Sequence, residues 1–212
     1  MLFGKKGSTA KMKNKYLKKA ICIVLVMAAV FTSVLPAFAK ESETTGVIFI
    51  GDSRTVGMNN VVNMSNMSDT YVVAKVGKGY KWYQQTGQYE VAIIKNEHPH
   101  DKWIYVFNLG VNDLRNIEKY QALIDEMEVD NTVYTVSVNP VIDSKSRNVK
   151  NNNIERFNEQ LQAAADNYID TYSYLATNGF NSSDGLHYGK STYETIYSLI
   201  QKGVDEENGV SE

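Results

Sequence analysis

The sequence predicts an α/β domain built on a parallel sheet with helices on both faces. Two observations carry this reading. Apolar, β-rich runs recur along the chain and end in glycine or Asn-Pro, and segments with apolar residues at helical spacing lie between them. Strands alternating with helices over such a length form βαβ units. A third observation concerns the first run, Val47-Ile48-Phe49-Ile50, which is continuously apolar rather than alternating. That pattern suits a strand covered on both sides.

Taken in order, a polar lead-in over 40–46 precedes the first strand at 47–50, and a helix starts near Arg54. A second strand, 71–76, stops at Gly77. Helices follow at 80–85 and 89–96, with Gly87 as a break between them. The third strand, 103–109, ends at Gly110, and 117–127 has helical periodicity. The fourth strand, 132–138, is closed by Asn139-Pro140, and a polar loop over 143–153 reads as mobile. In the helix at 154–165, Ile154, Phe157 and Leu161 share one face. A short fifth strand is expected at 168–175 and a closing helix at 191–202. The domain thus spans 47–204, with an acidic, frayed tail over 205–212.

The first 39 residues are of a different kind. Seven lysines without an acid precede an apolar run from Ala20 to about Leu35, and Ala37-Phe38-Ala39 follows. This is the pattern of a secretory signal cleaved after Ala39; an uncleaved membrane anchor is the alternative. The expected location is therefore outside the cytoplasm, with membrane contact only through that segment if it stays. The whole chain has 22 basic and 24 acidic residues; without the seven lysines the balance is 15 to 24, a net charge of −9. Such an acidic domain repels phosphate backbones and argues against nucleic acid as a partner. The only cysteine, Cys22, lies in the signal segment. The remaining chain has no thiolate for a disulfide, a zinc site or a nucleophile.

Three strand ends carry unusual residues: Gly51-Asp52-Ser53, Gly77-Lys78-Gly79 and Gly110-Val111-Asn112-Asp113. In a parallel sheet these ends lie side by side, where ligands gather. Acyl transfer through a serine needs a base and preorganised N–H donors for the oxyanion. Ser53 and Gly77 offer backbone N–H groups, and Asn112 offers a side-chain amide. His98 and His100 precede a strand and so belong to the opposite edge, as turn residues rather than metal ligands. His187 comes late, in Asp184-Gly185-Leu186-His187, where Asp184 can orient its imidazole.

These four blocks, in this order and over nearly all of the chain beyond residue 39, resemble the SGNH (GDSL) hydrolase family. The resemblance implies a flavodoxin-like three-layer α/β/α sandwich and ester hydrolysis or acyl transfer with no metal and no cofactor. It also implies Ser53 as nucleophile, His187 as base, Asp184 as its partner, and Ser53, Gly77 and Asn112 as the oxyanion hole. Two positions depart from the family pattern: Arg54 stands where leucine is frequent, and the second block has two glycines, so Gly79 competes with Gly77 as donor. Asp113 reads as a turn or helix cap. Arg54 is a candidate contact for an acidic substrate, or the partner of a surface carboxylate. Tyr80 and Trp82 are candidates for stacking on sugar, with helix packing as the alternative for Trp82. The expected substrate is a short, acetyl-type ester on a carbohydrate or cell-wall glycan. Lysophospholipase or thioesterase activity, glycan O-acetyl transfer, and a non-catalytic glycan-binding module are the other readings.

Overall fold

A computed structural model of the chain describes residues 43–207. The expected signal segment, the start of the lead-in and the last tail residues lie outside the described residues. Five strands, β1 (Thr45–Gly51), β2 (Thr70–Ala74), β3 (Lys102–Asn108), β4 (Thr132–Val136) and β5 (Asn167–Ile169), form one sheet in the order β2-β1-β3-β4-β5. Every neighbouring pair is parallel. Six helices cover it: α1 (Ser53–Val62), α2 (80–97), α3 (Ile117–Glu128), α4 (Asn151–Ala164), α5 (Thr171–Asn178) and α6 (Lys190–Glu207).

The two-residue period of the strands assigns the layers. Ile48 and Ile50 of β1 and Tyr105 and Phe107 of β3 join a core with Val91 of α2, Tyr120 and Ile124 of α3 and Phe157 and Leu161 of α4. Their sequence neighbours Phe49 and Val106 point the other way, into a core with Met58 of α1, Leu175 of α5 and Ile196 and Ile200 of α6. Both faces of the central strands are therefore dry, as their unbroken apolar runs require. From β1 the chain crosses first to β2 and then back past β1 to β3. The two crossovers diverge there and leave a crevice at the carboxyl ends of β1 and β3.

Several boundaries differ from the sequence expectation. β1 begins at Thr45, inside the expected lead-in, because Thr44 is held by the Asp101 carboxylate (2.8 Å) and Gly46 lies against the Trp103 ring. Gly87 does not break α2. Its backbone is helical, and the segment Tyr83–Gly87 is absorbed as a π-helical turn between Tyr80–Trp82 and Gln88–Glu97. The fifth strand stops at Ile169, where Asp170 caps the next helix by accepting the Ser173 N–H (2.9 Å). The expected strand at 168–175 is thus mostly α5. The first tail residues belong to α6, which runs on to Glu207 because Val204 is buried in the core and Lys202 faces Glu206 one turn later (3.5 Å).

The polar loop at 143–153 is tied down rather than loose. Lys150 Nζ donates to the carbonyls of Asp143 and Ser146, and Asn151 pairs with both backbone groups of Val141. His100 is no solvated turn residue either: Nε2 meets Asp69 Oδ1 at 2.9 Å, and the ring packs against Trp103. It lies at the amino end of β3, away from the crevice. Among the described residues no helix is long and apolar enough to cross a membrane.

Candidate active site

Ser53 opens α1 directly after β1. Asp52 is the N-cap and accepts the Arg54 N–H at 2.9 Å. As the first helical residue, Ser53 has no carbonyl one turn earlier to take its own N–H. Its Oγ lies 2.9 Å from His187 Nε2, and His187 Nδ1 lies 2.7 Å from Asp184 Oδ2. The other Asp184 oxygen accepts the backbone N–H groups of Leu186 and His187, each at 2.8 Å. Partial burial would raise the Asp184 carboxyl, but the hydrogen bonds from the His187 ring and from these two N–H groups outweigh it, so it stays well below the usual carboxylate range. An ionised Asp184 holds the ring proton on Nδ1 and leaves Nε2 to accept from the serine hydroxyl.

The loop carrying His187 is anchored from two sides. Gly185 has φ +83°, and its carbonyl accepts the Ile142 N–H at 2.9 Å; a Cβ there would press on Lys145 and the Ser146 backbone. From beneath comes Arg54, which the structure removes from the candidate substrate contacts. It is 5 % exposed, and its guanidinium donates to the carbonyls of Leu186 (3.1 Å), Asn139 (2.7 Å) and Pro140 (3.4 Å) while lying over the Tyr188 ring. Its planar fork ties the turn after β4 to the residue before His187, a task an ammonium cannot copy. Arg54→Lys and Arg54→Leu are each expected to lower kcat about tenfold with little change in KM. Each also costs roughly 1–3 kcal/mol from the carbonyls left unmet. Wild-type kcat in Arg54→Leu would refute this positioning role.

Asp52, 2 % exposed, is pushed up from 3.8 to about 6 by burial, against the opposing Arg54 N–H and the Arg54 and His187 charges. The folded chain therefore keeps this proton to higher pH than the unfolded one, and stability at this site falls as pH rises from about 4 to about 6. Above that window the cost is on the order of 3 kcal/mol. Asp52→Asn keeps the capping oxygen and is expected to raise Tm by several degrees at pH 8, at about 2–4 °C per kcal/mol. The gain should vanish near pH 4, and an equal gain at both pH values would contradict the assignment.

The second and third strand ends meet through Asp113. Its carboxylate accepts the Tyr80 N–H (2.9 Å), the Asn116 amide (3.1 Å) and the Tyr120 hydroxyl (2.6 Å). It caps α2 rather than the helix that follows it. Gly79 lies against this carboxylate, and any Cβ there would collide with it. Gly77, with φ +69°, sits in an exposed turn with open space around it. Asn112 donates one amide proton to the Lys78 carbonyl at 2.8 Å and keeps a second proton free. Trp82 is 8 % exposed and lies in the core, so it is not a sugar platform. Tyr80 is half-buried, with its ring edge-on to Tyr120 at 5.8 Å. The Arg54 anchor and the Asp113 cross-link were not legible in the sequence, since neither spacing nor motif pairs these residues with their partners.

No protein-family model and no curated protein matches the sequence. Solved structures do share its fold. A lipase/acylhydrolase from Enterococcus faecalis superposes with a TM-score of 0.54 at 17% identity, over 76% of this chain and 96% of that one. The catalytic domain of peptidoglycan O-acetyltransferase A from Streptococcus pneumoniae gives 0.56 at 16% identity, over 77% and 97%. With its 2-1-3-4-5 parallel sheet between two helical layers, the chain has the fold of the SGNH-type acylhydrolases.

Proposed function

We propose that this chain is an exported serine esterase that removes short acyl groups, acetyl above all, from a carbohydrate. The observation carrying the reading is the hydrogen-bonded series from Ser53 Oγ through the His187 ring to Asp184, at 2.9 and 2.7 Å. Ser53 Oγ attacks the ester carbonyl while His187 Nε2 takes its proton, and Asp184 stabilises the imidazolium. The oxyanion is held by the Ser53 N–H, by the free amide proton of Asn112 and by a glycine N–H, for which we favour Gly79 over Gly77. Gly79 is fixed beside Asp113, next to Asn112, whereas Gly77 projects into solvent. The tetrahedral intermediate collapses, the alcohol leaves with the proton from His187, and water activated by the same imidazole cleaves the acyl-enzyme. No metal or cofactor takes part in this scheme.

A second reading is acyl transfer to a sugar hydroxyl in place of water. The fold likeness to an O-acetyltransferase catalytic domain supports it. A panel of 4-nitrophenyl esters from acetyl to palmitoyl tests the first reading, and turnover should fall steeply beyond butyryl. Equal or faster palmitoyl turnover would overturn the short-acyl assignment in favour of a lipid or thioester substrate. Acetylated oligosaccharide appearing in place of free acetate would favour transfer.

A further inference from the structure

We infer that the substrate of this site is an anionic glycan, bound along a basic groove that begins beside the Ser53–His187 pair. This rests on the esterase reading and names its polymer. The groove, about 1130 Å³, starts between Asn112 and Asp184 and runs past the loop at 145–149 to the exposed side of α4. Its lining includes four cations, Arg115, Lys145, Arg147 and Arg156, brought together from three separate segments of the chain. All four are exposed, and among the described residues none of their charged groups has an ion-pair or hydrogen-bond partner.

Among the described residues the groove contains two carboxylates, Asp113 and Asp184. Both keep their charge but are hydrogen-bonded within the fold rather than to the four cations. Asp113 accepts from Tyr80, Asn116 and Tyr120, and Asp184 from His187, Leu186 and Ser182. Four cations against two carboxylates give this concavity a positive surplus in a chain whose formal net charge is negative. A concave surface with a surplus of one sign raises the local concentration of a ligand of the other sign. The rest of the lining is largely amide and apolar, and includes Asn153, Gln160, Val149 and Leu114. Such a surface suits sugar rings carrying periodic negative groups better than an acyl tail, which would leave the cations unmet.

The test uses the full chain with Ser53→Ala, so that binding is read without turnover. Three probes are titrated: polygalacturonate (carboxylate), a glycerol-phosphate teichoic acid (phosphate) and dextran (neutral). Binding of at least one anionic polymer, weakened by salt and absent for dextran, is expected. Adding Arg147→Gln with Arg156→Gln should weaken it about tenfold. Arg115→Gln with Lys145→Gln should do the same, while Lys190→Gln with Lys202→Gln, an equal charge loss on α6, should leave it unchanged. Dextran binding as tight as the anionic polymers, equal weakening by the α6 pair, or tighter binding of duplex DNA or of anionic vesicles would each overturn the inference. Hydrolysis of 4-nitrophenyl acetate by the unsubstituted chain is scored separately. Its failure would remove the esterase reading, whereas failure of the binding arm alone would remove only the anionic glycan.

Discussion

Ser53→Ala is expected to lower ester turnover by about 10⁴- to 10⁶-fold while the fold and its melting temperature stay nearly unchanged. The serine is 8 % exposed and its hydroxyl contacts the His187 ring, so removing one oxygen leaves a small gap at the crevice floor rather than a core cavity. In the proposed mechanism what goes is the nucleophile itself. His187 then has no proton to take, and the remaining catalysis is water attack on an ester polarised by the oxyanion donors, a residual of about 10³–10⁴ over solution. Labelling by a fluorophosphonate probe should disappear in the same variant. Single-turnover rates and probe labelling check this directly, and a variant that keeps more than about a hundredth of the activity would assign the chemistry to another group.

The second large effect is expected from Asp184→Asn, a loss of about 10³- to 10⁴-fold in kcat with KM little changed. The replacement can still occupy the turn, but an amide facing Nδ1 favours the tautomer whose Nε2 carries the proton. Nε2 then cannot accept from the Ser53 hydroxyl. The turn suffers too, because Asp184 also accepts the backbone N–H groups of Leu186 and His187. Asp184 is held below its unfolded value, so its contribution to stability is present above about pH 4 and is lost as pH falls below that. Asp184→Asn should therefore flatten the acid limb of the unfolding curve as well as lower kcat. Melting curves from pH 2 to 7 together with kcat test both, and an unchanged kcat would exclude the orienting role.

Much of this architecture was legible from local pattern. Val47-Ile48-Phe49-Ile50 has no polar alternation, and β1 is indeed dry on both faces. The glycine and asparagine signals placed every strand end within two or three residues, except at β5. There Tyr168-Ile169 continues into Thr171 and Tyr172, which are as acceptable in a strand as in a helix, and the Asp170 cap settled the matter. Gly87 misled for a related reason. Glycine breaks helices by intrinsic preference, yet here the missing Cβ lets the Tyr83 ring lie close, and packing outweighs a propensity cost of about 1 kcal/mol.

Chain order and residue type alone announced an α/β sheet with Ser53 and Asn112 at its strand ends and Asp184 and His187 in a late loop able to return over them, because strand direction and alternation are local properties. Three-dimensional packing settled other matters. Arg54 became a buried anchor instead of a substrate contact, Asp113 bridged two strand ends, and four cations from three segments of the chain came to line one groove. Contacts between residues 33 to 132 positions apart leave no periodic trace in a sequence. A net charge, likewise, averages away the patch that a ligand would meet.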